Sequence, residues 1–135
     1  MAGQTQNALQ KAVYQALSAD STLGTLITGI YDAVPENTNY PYVVFSGSSQ
    51  ENLESLAGHR ERVRLQLTVF SRSNGRKQAQ TILNRIHIIL HHANLTLDAG
   101  YTLHQIECAA SESNLLSDGL TWRGSVSVSA IVKIA

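Results

Sequence analysis

His87 and His91 stand four residues apart in the stretch NRIHIILHHAN. On a helix that spacing lets two imidazoles meet one metal ion. The glutamate of an HExxH protease helix is missing, because Ile88, Ile89 and Leu90 fill the gap. No other cluster of His, Asp or Glu lies nearby in sequence to complete a ligand shell, so no metal site is expected. His91-His92 reads instead as a basic complement to the helix C-terminus. The single cysteine, Cys108, falls on the core parity of a strand, where a thiol behaves as a small apolar group. Nothing in the sequence points to a base beside it, as a nucleophile would need. The glycines form neither a P-loop nor a GxGxxG fingerprint. Glu51, Glu54 and Glu61 lie in a polar arm and read as surface groups rather than an acid/base pair. No catalytic residue and no cofactor is expected.

Positive charge is the second candidate chemistry. Seven of the ten basic residues (Arg60, Arg62, Arg64, Arg72, Arg76, Lys77 and Arg85) fall between positions 60 and 85, with Glu61 the only acid among them. Arg62 and Arg64 project from the polar face of a strand, and Arg123 is a candidate to join them across the sheet. One reading is a phosphate-binding patch, hence a small nucleic-acid-binding protein. The other is a solvated or interface face whose arginines pair with acids of the 51–54 arm or of a neighbour. Interleaved aromatic residues for base stacking are missing, since only Phe70 is close.

The elements that position these groups follow from periodicity. Ala8, Leu9, Ala12, Val13, Ala16 and Leu17 lie on one face of a helix over 7–19, with Thr5 or Asn7 as its cap. Asp20 and Ser21 open a second helical turn ending at Gly29. Ile30–Val34 reads as a short extended piece and Pro35–Pro41 as a loop, with a strand starting at Tyr42. Residues 46–60 form a polar continuation, arm and return. Arg60–Ser71 is an inner strand with Val63, Leu65, Leu67 and Val69 on one face. Asn74-Gly75 marks a turn, and 76–92 an amphipathic helix with Ile88 off its apolar face. Tyr101–Ala110 is a strand whose parity changes near His104-Gln105, which a bulge would reconcile. Ser117-Asp118-Gly119 turns the chain into the last strand, Leu120–Ile134.

That last strand contains RGSVSVSAIVKI. Val126, Val128, Ala130, Val132 and Ile134 make its core face; Arg123, Ser125, Ser127, Ser129 and Lys133 make the other. Water, a substrate, a nucleic acid or another copy of the chain are all open as the occupant of the serine row. The expected fold is α+β, an antiparallel sheet with helices packed on one face and the other face polar.

Composition bounds the function classes. The chain has 135 residues, 43% hydrophobic and 15% charged, with a formal net charge of zero. A single domain over 1–135 is expected, with a polar arm near 46–60. No global field steers it onto nucleic acid or acidic lipid. A lone cysteine makes no internal disulfide and excludes a Cys-built zinc site. MAGQTQNALQ lacks the features of a signal peptide, and no apolar run is long enough to cross a membrane, so a soluble intracellular product is expected.

Taken in order, ALQKAVYQALSADSTLGTLITG, IYDAVPENTNYPYVVF, HRERVRLQLTVFSRSNGRKQAQTILNRI and SDGLTWRGSVSVSAIV resemble the tail-completion or tail-terminator family of long-tailed phages and gene transfer agents. The resemblance runs from about Ala8 to Val132. It implies a structural virion protein: a six-membered ring on the last ring of the tail tube, which stops polymerisation and forms the junction to the head connector protein. The implied partners are therefore copies of itself, the tail tube protein, the connector, and genomic DNA passing through the lumen without sequence-specific binding. The implied location is the head-proximal end of the virion tail, after assembly in the host cytoplasm. Relatives acting at a neighbouring head-tail joining ring leave that station as an alternative. On this reading Arg62, Arg64, Arg123, Ser125, Ser127 and Ser129 line the lumen or face a neighbour. Leu53, Leu56, Phe70 and Ile88, apolar outside the core pattern, are candidates for the subunit or tail-tube interface.

Overall fold

A computed structural model describes residues 2–53, 58–72 and 76–134, without the side chains of 2–4, 109 and 110. Helix α1 (Ala2–Ala19) leads into the short α2 (Ser21–Leu26), strand β1 (Ile30–Tyr31), β2 (Tyr42–Asn52) and β3 (His59–Ser71). Helix α3 (Lys77–Leu90), β4 (Tyr101–Leu115) and β5 (Trp122–Ile134) complete the chain. The sheet order is β1-β2-β3-β5-β4, antiparallel except for the β1–β2 pair. α3 thus carries the chain from β3 across β5 to the edge position of β4. The expected α+β class is the one observed.

The alternating residues of β3 and β5 behave as their period requires. Val63, Leu65, Leu67 and Val69 are at most 1% exposed, and Val126, Val128, Ala130 and Val132 are buried beside them. α1 contributes Leu9, Val13 and Leu17, and α3 contributes Ile82, Leu83, Ile86 and Leu90, to the same core. Both helices therefore lie on one face of the sheet. Gly124 makes α3's approach possible: a Cβ there would sit 2.7 Å from Leu83 Cδ1.

Two bulges interrupt β4 against β5, one between Leu103 and Gln105, as the parity change predicts, and one between Cys108 and Ala110. A further shift between Phe45 and Gly47 turns Ser48 and Gln50 toward the helix side, opposite Leu65 and Val63. There Ser48 Oγ donates to Gln6 Oε1 at 2.6 Å.

Several local expectations are corrected. α1 begins at Ala2, so neither Thr5 nor Asn7 caps it. Thr5 is fully buried, and its hydroxyl donates to Glu61 Oε1 at 2.9 Å. Glu61 is no surface group of the arm: it is 4% exposed and also receives Gln50 Nε2, with His59 Nε2 at 3.5 Å. Its odd number puts it on the core face of β3, where a carboxylate needs donors around it. α2 stops at Leu26, with Ile27 as its cap, before Gly29. β4 extends to Leu115, five residues past the expected end, and β5 starts at Trp122. The Tyr40–Pro41 peptide before β2 is cis. The expected turn at Asn74-Gly75, and Glu54 and Leu56 of the arm, lie outside the described residues.

Asp20 caps α2 by accepting the Leu23 N–H at 2.8 Å, and its two oxygens receive Arg85 Nε at 2.8 Å and a terminal nitrogen of Arg85 at 2.7 Å. This fork fastens α3 to the α1–α2 corner. The Arg85 guanidinium, then the Leu23 N–H, pull the Asp20 carboxyl from its ordinary 3.8 down to about 2. In the hairpin turn, the N–H groups of Leu120 and Thr121 and the Thr121 hydroxyl pull Asp118 down to about 2 likewise. A depressed folded-state pKa contributes stability that is complete above the unfolded value near 3.8 and is lost as pH falls through about 2. We expect the melting temperature to fall between pH 4 and pH 2. Asp20→Asn and Asp118→Asn should each lower it at neutral pH and flatten that acid limb, as thermal melts across pH would record.

Candidate functional site

The face of the sheet away from the helices carries the residues singled out by charge and by the serine alternation. Arg62 and Arg64 on β3 pair with Glu51 and Ser49 of β2 on one side and with Ile131 and Ser129 of β5 on the other. Both guanidinium groups reach the same carboxylate, Glu51 Oε2, at 3.6 Å. An acid of the 51–54 arm therefore pairs them, as the second reading of the charge cluster allowed. Such exposed pairs hold geometry weakly.

Ser129 lies between Arg64 and Glu107, and Ser125 between Thr68 and Glu112, by register. Ser127 stands beside Gln66. Ser125 is buried at 9% exposure, while Ser127 and Ser129 are half-buried. The serine row is thus a shallow neutral stripe with Thr68, Gln66 and Arg64 along one flank and Glu107 and Glu112 along the other. Arg123 does not join Arg62 and Arg64. It pairs with Phe70, six residues from the Arg64 position, about 20 Å along the strands.

The basic run dissolves further in three dimensions. Arg85 sits in the helix layer, committed to Asp20. Arg72 lies at the far end of β3, where its Nε donates to Thr121 Oγ1 at 3.0 Å and its guanidinium covers the Tyr40 ring at 4.5 Å. That end holds an aromatic row in which Tyr42 contacts Tyr31, Tyr40 and Phe70 with centroids 6.0, 5.2 and 5.5 Å apart.

Of the apolar interface candidates, Phe70 belongs to this row and is half-buried. Leu53 is half-buried at the opposite end of the β2–β3 hairpin, where its N–H donates to the Arg60 carbonyl at 2.8 Å. Ile88 is 56% exposed on the outer side of α3. These three do not form one patch. Leu115 and Leu120, 47% and 63% exposed around the β4–β5 hairpin, were not picked out by sequence. They sit in a turn region whose polar neighbours masked them.

The sheet has two open flanks. β1 covers only Val43 and Val44 of β2, leaving the rest of that strand without a strand neighbour on its outer side among the described residues. β4 forms the other edge. Its first half is shielded: the His92 N–H donates to the Ile106 carbonyl at 2.9 Å, and the Cys108 N–H donates to His91 Nδ1 at 3.2 Å. Beyond the second bulge, Ser111–Leu115 has no such cover among the described residues. The Leu116 N–H donates across the hairpin to the Thr121 carbonyl at 2.8 Å. Antiparallel alternation from that bond turns the N–H groups of Leu115, Ser113 and Ser111 outward. β2 and β4 run in opposite directions, so one flank can continue the antiparallel sheet of the other.

His91 also departs from expectation. Burial, and then His92 and His87, push its pKa down. As an acceptor through Nδ1 it is a neutral cap on the strand edge rather than a cation on the helix dipole. Cys108, whose thiol burial pushes up to about 11, packs beside it and is held protonated.

Known proteins share this architecture. A chain in the virion of a native gene transfer agent particle superposes with a TM-score of 0.86 at 25% identity, covering 95% of this chain and 96% of that one. The gp17 protein of bacteriophage SPP1 superposes with a TM-score of 0.66 at 23% identity, covering 98% and 92%. A comparison with curated proteins finds no match. Residues 11–133 match the family described as tail completion protein gp17, a stretch that runs from the middle of α1 to the penultimate residue of β5. The chain belongs to that family of structural tail-completion proteins of virions.

Proposed function

We propose that this protein closes as a ring on the last ring of the tail tube, stops its polymerisation, and presents the surface to which the head connector docks, with DNA passing through the ring. The observation that carries this reading is the family match over residues 11–133. The geometry suits it in two ways. A head-to-tail ring needs two different complementary surfaces on each protomer, and the open flanks of β2 and β4 supply strand edges that run in opposite directions, as antiparallel pairing requires. A lumen must also let DNA slide. The serine stripe offers a phosphate backbone little to grip, because its one flanking arginine, Arg64, is opposed by Glu107 and Glu112 on the other side.

Duplex binding by the 60–85 basic residues is the weaker alternative. Arg62 and Arg64 share Glu51, Arg85 is tied to Asp20, and Arg72 lies about 26 Å along the strand from Arg64. The test is electron microscopy of particles produced without this gene. Tails of uncontrolled length, unattached to filled heads, are expected. Unattached tails of normal length would shift the protein to a neighbouring joining ring. Normal tails on normal heads would overturn both stations, and salt-dependent duplex binding lost in Arg62→Ala with Arg64→Ala would then favour the alternative.

A further inference from the structure

α3 and β4 bring a third side chain to a histidine pair that helical spacing already places together. His87 and His91 lie one turn apart, and Cys108, seventeen residues beyond His91, comes alongside them because β4 passes under the helix end. One potential ligand atom from each of the three lies within 4.8 Å of the other two. The His87 and His91 rings stack with centroids 4.5 Å apart, and His92 stacks on His91 at 4.0 Å.

We propose that His87, His91 and Cys108 form a binding site for a zinc-class divalent ion that fastens the end of α3 to the edge strand β4. Two imidazoles and one thiolate match the borderline-soft preference of zinc and disfavour magnesium or calcium, which take oxygen ligands. Zinc–nitrogen bonds of about 2.0–2.1 Å and zinc–sulfur bonds of about 2.3 Å place two nitrogens and one sulfur roughly 3.3–3.6 Å apart in a tetrahedron. Closing from 4.8 Å takes at most about 1.5 Å of movement. His87 is exposed, so a rotamer change that unstacks its ring from His91 can take up part of the adjustment.

Ligation through either ring nitrogen of His91 takes Nδ1 away from the Cys108 N–H, because an ion on Nε2 leaves the proton on Nδ1, and the thiol gives up its proton on binding. Both steps cost affinity, so the site is weaker than a zinc finger. A groove of about 600 Å³ beside His87 and Cys108, lined also by Gln80, Asn84 and Glu112, leaves the fourth position to water. The site stands independently of the ring reading, since its ligands all come from one protomer.

The experiment is a cobalt(II) titration of the full chain carrying no polyhistidine tag, followed by displacement with zinc. One equivalent of cobalt should give the intense visible bands of a tetrahedral ion and a thiolate charge-transfer band in the near ultraviolet. Zinc should abolish both and raise the melting temperature, because the three ligands come together only in the folded state. Cys108→Ser should remove the charge-transfer band, and His87→Gln should weaken binding at least about tenfold, the lower end of what even outer-shell changes cost. His87 is exposed, so its variant keeps the fold and remains informative should Cys108→Ser fail to fold. His104→Gln, an exposed histidine outside the trio, should bind as the parent does. Absence of the charge-transfer band, an octahedral cobalt spectrum, or unchanged binding in His87→Gln would each overturn the site.

Discussion

Ser113→Pro is expected to leave the monomer folded and to abolish ring closure. Ser113 lies in the uncovered stretch of β4, and alternation from the Leu116–Thr121 bond points its N–H away from β5. Proline on an edge strand with its nitrogen outward disturbs no ladder bond within the chain. It does delete the donor that a neighbouring strand would use and puts ring carbons in that strand's path. One unmade buried hydrogen bond costs about 1–3 kcal/mol at each interface, and a ring repeats that loss at every joint. Native mass spectrometry should show rings for the parent and for Ser113→Thr, and monomers for Ser113→Pro. The melting temperature of the proline variant should match the parent's monomer. Rings persisting in Ser113→Pro would exclude β4 as the joining edge while leaving tail completion intact.

Ile86→Ala is expected to cost about 2–5 kcal/mol, a large part of the roughly 5–15 kcal/mol that holds a domain of this size together. Ile86 is 0% exposed and sits in the core between α3 and the sheet. Truncation leaves a cavity that β3 and β5 cannot fill, because both are pinned by long ladders on each side. Ile88, two residues on, is 56% exposed, so Ile88→Ala should change stability by less than about 0.5 kcal/mol. Urea denaturation of the two variants measures the contrast directly. Equal losses would mean that the helix presents a different face to the sheet.

This contrast between neighbouring isoleucines was legible in the sequence. The 3.6-residue period of α3 separates Ile86 from Ile88, and the two-residue period of β3 and β5 separates valines from arginines and serines. Each pattern is local, repeated several times within one element, and enforced by burial of a whole face. The bulge near His104-Gln105 was legible for the same reason, as a break in parity. The family resemblance is of the same kind, because it rests on such segments in a fixed order.

Other features depend on pairings between distant parts of the chain. Thr5 and Glu61, 56 positions apart, become one buried hydrogen bond only when α1 lies across the β2–β3 hairpin. Arg85 and Asp20, 65 apart, turn a member of an apparent basic patch into a fastening between helices. The bulges of β2 and β4 likewise set which side Gln50, Ser111 and Ser113 take, since one inserted residue reverses every side chain after it.

By itself, then, the sequence determined the α+β class, the buried faces of β3, β5 and α3, and the tail-completion family, because periodic burial writes itself into consecutive residues. Only the tertiary structure decided that Glu61 is internal, that the arginines divide among three places, and that Cys108 meets His87 and His91. Those outcomes depend on register and crossover, and no local period encodes which distant residue a strand will bring alongside.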